Sequence, residues 1–370
     1  MLPYYLLLFI PAVVPLIVYQ PRKFGMPKKY SDIVKKRNKM MIILFFLGLF
    51  ILMALRDISV GTDIETYKTI FDGCANVSFD YLSNLPWELG YTIYNKLVAL
   101  VFNDYRFFLI LTSFIILIPI YELYIEEKKY GYLLIVLFIN MPCFLMMFSG
   151  LRQALATSIG VLAYMAIEKR KNILGMIFIL LAMSFHSSAF VLFLIYPAFY
   201  LKIKTKHLLY VVPLIIVIYY YRVPIFTSLI GLLPSKYVTF YGELQQTGAF
   251  GMMVLFLVFT IFSFVVLDEK YISDRDYCMR NLLLIATIFQ LFVPIHGLIQ
   301  RASYYFLVFA PVSIISVVNA PRKRLKSISN VAVVVMGCFF TFYFFYTAYF
   351  STDNLLDVFP YVFYWSGKGW

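Results

Sequence analysis

With 370 residues, of which 62% are hydrophobic, 19% aromatic and 14% charged, the chain lies far below the roughly 25% charged residues of a soluble domain. That composition excludes an ordinary water-soluble enzyme and points to a polytopic membrane protein. The net charge of +13 does not point to nucleic acid, because the Lys and Arg residues stand in short clusters between apolar runs, as cytoplasmic anchors do.

A bilayer span needs about 20 helical residues. By that measure the chain holds twelve candidate spans, near residues 3–20, 40–55, 106–125, 131–148, 151–167, 172–185, 187–201, 207–221, 250–267, 281–296, 300–318 and 328–350. The expected fold is therefore an all-α polytopic transmembrane bundle, one integral membrane domain over residues 1–370. The first segment has no basic stretch before it and no small-residue cleavage pattern after it, so it reads as a retained helix and not a signal peptide. Basic clusters at 22–39, 128–129, 169–171, 202–206, 270–280 and 322–326 set the orientation, with both termini outward.

After the second span comes the longest non-hydrophobic interval, a first outer loop over 56–105 that opens with RDISVGTDIETYKTIF. Within it, ELGYTIYNKLVALVF at 88–102 looks like a further span but carries Lys96 in its middle, where a charge costs roughly 2.5–3.5 kcal/mol to insert. It is expected to be an interfacial or re-entrant helix. A second outer loop spans 222–249, broken by Pro224, Gly231, Pro234, Gly242 and Gly248. The late FPYVFYWSGKGW suits a membrane interface.

This topology gathers a restricted polar set on the outward face: Arg56, Asp57, Asp63, Glu65, Arg152, Gln153, His186 in FHSS, and His296, Gln300 and Arg301 in HGLIQR. Arg152 follows Gly150 at a helix N-terminus, where free N–H groups and the helix dipole favour an anion and a guanidinium adds a bidentate fork for phosphate. An arginine snorkelling to lipid phosphates is its plain alternative. Arg301 is similarly placed, and Arg56 and Arg222 are weaker candidates. Asp63, beside Gly61 and between two threonines, is a candidate general base or an Asx-type turn cap. Asp63 and Glu65 carry only a weak cation signal. His186 and His296 are alternative bases, and Tyr67, Tyr91, Tyr304 and Tyr305 are candidate stacking partners for sugars.

Four scattered cysteines give neither a disulfide framework nor metal spacing, and no zinc, P-loop, nucleophile-elbow or dinucleotide motif is present. The spans carry almost no ionisable residue at mid-membrane, against an ion-coupled transporter.

VGTDIETYKTIF, ELGYTIYNKLVALVF, SGLRQALATSIGVLAYMAIEKRK, SFHSSAFVLFLIYP, QRASYYF and the late FPY, in that order, resemble the EpsG-like branch of the Wzy-type polysaccharide repeat-unit polymerases of O-antigen, exopolysaccharide and capsule pathways. The resemblance implies a GT-C-like, metal-independent glycosyltransferase of the bacterial inner membrane, without a cofactor. Such an enzyme joins oligosaccharides carried on undecaprenyl diphosphate on the periplasmic or extracellular face. The family motif points to Asp63, Arg152, His186 and Arg301; Asp63 and His186 are the expected catalytic residues and Arg152 and Arg301 the expected ligands of the diphosphate, while Arg56, Glu65, Gln153, His296 and Gln300 of the outward-face set are expected in support. The expected partners are membrane lipids, the lipid-linked oligosaccharide, a chain-length regulator and a flippase, with no nucleic acid. A flippase of lipid-linked oligosaccharide, or a ligase of O-antigen type, is the alternative reading.

Overall fold

The computed structural model describes residues 2–18, 27–231, 250–270, 272–350 and 356–366. All named elements are helices, and the chain forms two compact units, one of residues 1–192 and 332–370, the other of residues 193–331.

The first unit contains α1 (Leu2–Val18), α2 (Pro27–Ala54), α3 (Ile64–Asn76), α4 (Leu89–Val101), α5 (Tyr105–Ile125), α6 (Gly131–Ile139), α7 (Pro142–Ser149), α8 (Leu151–Glu168) and α9 (Asn172–Phe185). Helix α8 packs along α9 and α5, and α2 packs on α1, α5 and α6. Fourteen of the α8 residues are buried, among them Ala154, Ala156, Ser158, Gly160, Ala163 and Ala166. A helix apolar or small on every side belongs inside a bundle, where small residues let neighbouring helices approach.

The segment expected to form the first outer loop is largely helical. In α3 the buried positions Ile64, Tyr67, Ile70, Phe71 and Cys74 form one stripe, the spacing of a half-buried amphipathic helix. The segment expected to lie at the interface is α4, which packs on α3. Its Lys96 Nζ donates to the Ala75 carbonyl at 2.8 Å, so that charge is satisfied at the end of α3.

The second unit holds α10 (Ile195–Tyr200), α11 (Leu208–Tyr220), α12 (Arg222–Gly231), α13 (Phe250–Val266), α14 (Asp274–Phe292), α15 (Gly297–Leu307) and α16 (Ala310–Asn319); α17 (Lys326–Phe350) leads back to the first unit. Helix α14 is the core of this unit, packed against α10, α13, α15 and α16. Its start is fixed by a capping box in which Ser273 Oγ accepts from the Asp276 N–H and the Asp276 carboxylate accepts from the Ser273 N–H.

Among the described residues, three helices are long and apolar enough to cross a membrane, over Asp32–Ala54, Tyr105–Ile125 and Lys323–Phe350. Three bent pairs raise the number to six, at 131–149, 205–231 and 297–319, with bends of 62°, 72° and 46°. Several of the twelve expected spans are thus short or broken, because sequence hydropathy registers apolar length and not the continuity of one helix. The expected loop at 222–249 begins instead with helix α12, and residues 232–249 of it lie outside the described residues.

The C-terminal segment reaches back over the turn that follows α2. The Asp57 N–H donates to the Val362 carbonyl, Gly61 N–H to Asp357, Thr62 N–H to Leu356 and Tyr364 N–H to Leu55, all at 2.9–3.1 Å. The tyrosine hydroxyls of Tyr4 and Tyr361 donate to the carbonyls of Val358 and Leu52 at 2.8 Å. Gly61, at φ +107°, is required here, because a Cβ would collide with the Phe148 carbonyl oxygen.

Candidate functional site

The polar residues of the first unit meet where the long loop after α2 touches two helix ends. Glu88 precedes α4, Arg152 lies in the first turn of α8, and His186 follows the last residue of α9. Gly90 allows the meeting, since a Cβ there would clash with Ser184 near the end of α9. With no side chain in the way, α4 comes close enough for Glu88 to reach three partners. Its Oε2 accepts from Arg152 Nη1 at 2.5 Å, and its Oε1 faces His186 Nδ1 at 3.2 Å and accepts from the Ser187 N–H at 3.1 Å.

Aromatic rings complete the setting. Arg152 Cζ lies 4.6 Å from the centre of the Trp87 ring and 6.0 Å from that of Tyr91, within cation–π range. The Tyr67 hydroxyl makes hydrogen bonds with both the side chain and the backbone of Arg152, and the charge of Asp63 acts on the same phenol. Burial alone would raise the Glu88 pKa; the His186 hydrogen bond, the Arg152 charge and the Ser187 N–H outweigh it and carry the carboxyl down to about 2. Glu88 is therefore ionised at neutral pH and can only accept hydrogen bonds. His186 then presents Nδ1–H to it, and its other ring nitrogen, Nε2, is not used in that contact.

The structure thus brings Arg152 and His186 together, with Asp63 close enough to act on the phenol that holds Arg152. Asp63 is half-buried at the N-cap of α3, and its side chain makes no capping bond. Glu65 is exposed in the first turn of α3, and Gln153 is buried in α8.

Arg56 is fully buried, and none of its three guanidinium nitrogens has a hydrogen-bond partner. Burial draws its pKa down to about 10 against the opposing influence of Tyr105, Tyr361 and Tyr4, and its Cζ lies 5.6 Å from the Phe148 ring centre. It is enclosed by aromatic side chains under the C-terminal segment.

The other three expected residues belong to the second unit. His296 is the N-cap of α15, with Nδ1 accepting from the Leu298 N–H at 2.9 Å and its ring stacked on Phe226. Gln300 is half-buried and Arg301 exposed, both near the start of α15. Among the described residues no three His, Cys, Asp or Glu side chains form a group that could hold a metal ion.

Glu88 was visible in the sequence only as one loop carboxylate among several. The signal that could have singled it out is the adjacent Leu-Gly pair, since a glycine in the first turn of a helix marks a close backbone approach.

Large apolar side chains remain exposed along α9, α11, α13 and α17, such as Ile177, Leu214, Val258 and Phe342. Such faces fit lipid and not water. With a polar cluster of side chains held at helix ends, they define a helical membrane protein. Residues 39–363 match the EpsG family, and the chain belongs to that family of Wzy-like polymerases. No curated protein and no solved structure matches it.

Proposed function

We propose that the chain is a GT-C-like inverting glycosyltransferase that polymerises lipid-linked oligosaccharide repeat units on the outer face of the bacterial inner membrane. Family membership supports a polymerase of polysaccharides. The observation that carries the chemistry is the Arg152–Glu88–His186 centre.

In this reading the hydroxyl of one lipid-linked unit attacks the anomeric carbon of another, carried on undecaprenyl diphosphate. The new C–O bond forms as the bond from that carbon to the phosphate oxygen breaks. The diphosphate leaves with the electron pair, and the hydroxyl proton passes to His186 Nε2.

Arg152 has five N–H donors and a side chain that is 20% exposed, so the guanidinium has an open edge for phosphate oxygens. Glu88 orients the imidazole and stabilises the imidazolium, the part a carboxylate plays beside histidine in hydrolytic triads. Proton uptake by His186 turns the neutral trio of Arg152, Glu88 and His186 into a cation as negative charge develops on the leaving group, and this electrostatic match lowers the barrier. Asp63, free of any capping bond, is placed to accept a sugar hydroxyl.

The experiment is reconstitution of the full chain with undecaprenyl-diphosphate-linked repeat units. The expected product is a ladder of longer glycans with release of undecaprenyl diphosphate, lost in Arg152→Ala. A wild-type protein that carries the lipid across the bilayer but extends nothing would replace this reading with a flippase.

A further inference from the structure

A hollow of about 360 Å³ is lined by Thr66, Thr69, Ile70, Gly73, Leu85 and Trp87. Four of these, at positions 66, 69, 70 and 73, follow the i, i+3, i+4, i+7 spacing of one face of α3. Leu85 and Trp87 close it from the segment leading into α4. The indole that carries the Arg152 guanidinium is part of its wall.

We infer that this hollow binds a pyranose ring of the lipid-linked glycan, next to the diphosphate that Arg152 holds; the inference rests on the glycosyl-transfer reading above. None of the lining residues is charged, so the hollow suits a neutral part of the substrate and not its phosphates. Trp87, Leu85 and Ile70 offer an apolar bed for the C–H face of a sugar, and aromatic rings favour such a contact with their electron-rich face. The Thr66 hydroxyl can donate and accept and the Thr69 hydroxyl can accept, matching the hydroxyl rim of a pyranose. Thr69 Oγ1 donates to the Glu65 carbonyl at 3.2 Å, which turns its lone pairs toward incoming donors. A prenyl tail is the other neutral part of the substrate, but two exposed threonines and a place within the loop helices do not suit hydrocarbon. A few convergent polar groups on an apolar wall are the usual make-up of a small-ligand site.

Gly73 provides the test, because a Cβ added there meets nothing within 4 Å and a larger side chain would enter the hollow, whose lining does not include Arg152, Glu88 or His186. The full chain, reconstituted, is titrated with two probes: sugar-free undecaprenyl diphosphate, and undecaprenyl-diphosphate-linked repeat units isolated from cells lacking this protein. Gly73→Phe is expected to weaken binding of the sugar-bearing lipid by about tenfold, the scale of a blocked pocket contact, and to leave the sugar-free lipid unchanged. Gly73→Ala should keep both affinities within about twofold, as surface changes do. Equal weakening of both probes would assign the hollow to the lipid or its diphosphate, and no weakening of either would leave it without a ligand; both results overturn the inference. Binding is read separately from chain growth, so a wild type that binds the glycan without extending it would fail the polymerase reading while leaving this one standing.

Discussion

The two units each bury an arginine against a glutamate, and the pairs are built to different ends. In the second unit Arg280 has a fully buried side chain and meets Glu269 at 2.9 Å. Its Nη2 donates to the backbone carbonyl of Ile203, and Glu269 accepts from the Thr205 N–H and hydroxyl at 2.7 and 2.9 Å. Arg322 Nη2 donates to the same hydroxyl at 3.2 Å. Those contacts run to loop backbone, so the pair fixes three connections and keeps little capacity for a ligand. In the first unit the side chains of Arg152 and Glu88 are 20% and 19% exposed, and their partners are a histidine, a tyrosine and a tryptophan. An arginine–glutamate pair marks a site only when its remaining partners are side chains that can do chemistry and one edge of it is open.

The largest contrast should appear on truncating the two arginines. Arg280→Ala removes a fully buried side chain and leaves the half-buried Glu269 carboxylate without its cation, and loss of a hydrogen bond to a charged group costs about 1.5–3 kcal/mol before the lost packing is added. Denaturation in detergent should show that loss, with the turnover of the protein that stays folded unchanged. Arg152→Ala should do the reverse, cutting glycan extension by about 10²–10³, as loss of one transition-state donor does, while lowering the melting temperature less than Arg280→Ala. If the Arg280 variant is stable and inactive, the roles assigned to the two pairs are exchanged.

Glu88→Gln sharpens the comparison through pH. Its partners hold the Glu88 carboxyl down at about 2 in the fold, against an ordinary value of 4.5. A lowered carboxylate stabilises the fold above its unfolded pKa and loses that contribution as pH falls through the folded one. The stability gap between wild type and Glu88→Gln should therefore be full at neutral pH, shrink below pH 4.5 and close near pH 2, a change of roughly 3 kcal/mol at most. A gap that stays constant over that range would mean that Glu88 is not held by Arg152 and His186 in solution. The smallest effect is expected for Thr205→Val, which removes one hydroxyl donor from Glu269 and should cost about 1.5 kcal/mol by the same denaturation assay.

Arg152 and His186 were legible in the sequence because a charged or titratable residue at the end of an apolar run is conspicuous. Glu88 was not, since its bonds to Arg152 and His186 span 64 and 98 residues of chain. The aromatic C-terminal segment shows the same limit. Its composition reads as a membrane-interface anchor, yet Tyr361 bonds to Leu52 across 309 residues and the segment covers Arg56. Arg56 itself read as a candidate for the outer face and is instead enclosed.

Composition and apolar spacing by themselves determined an all-helical membrane protein with a long polar loop after the second apolar segment, because both the hydrophobic effect and helix periodicity act over a few turns. Tertiary structure alone decided which carboxylate faces Arg152, where helices bend, and which arginine is sealed away. Those outcomes depend on how closely separate helices can approach, at Gly90 and Gly61 above all, and sequence spacing carries no measure of that distance.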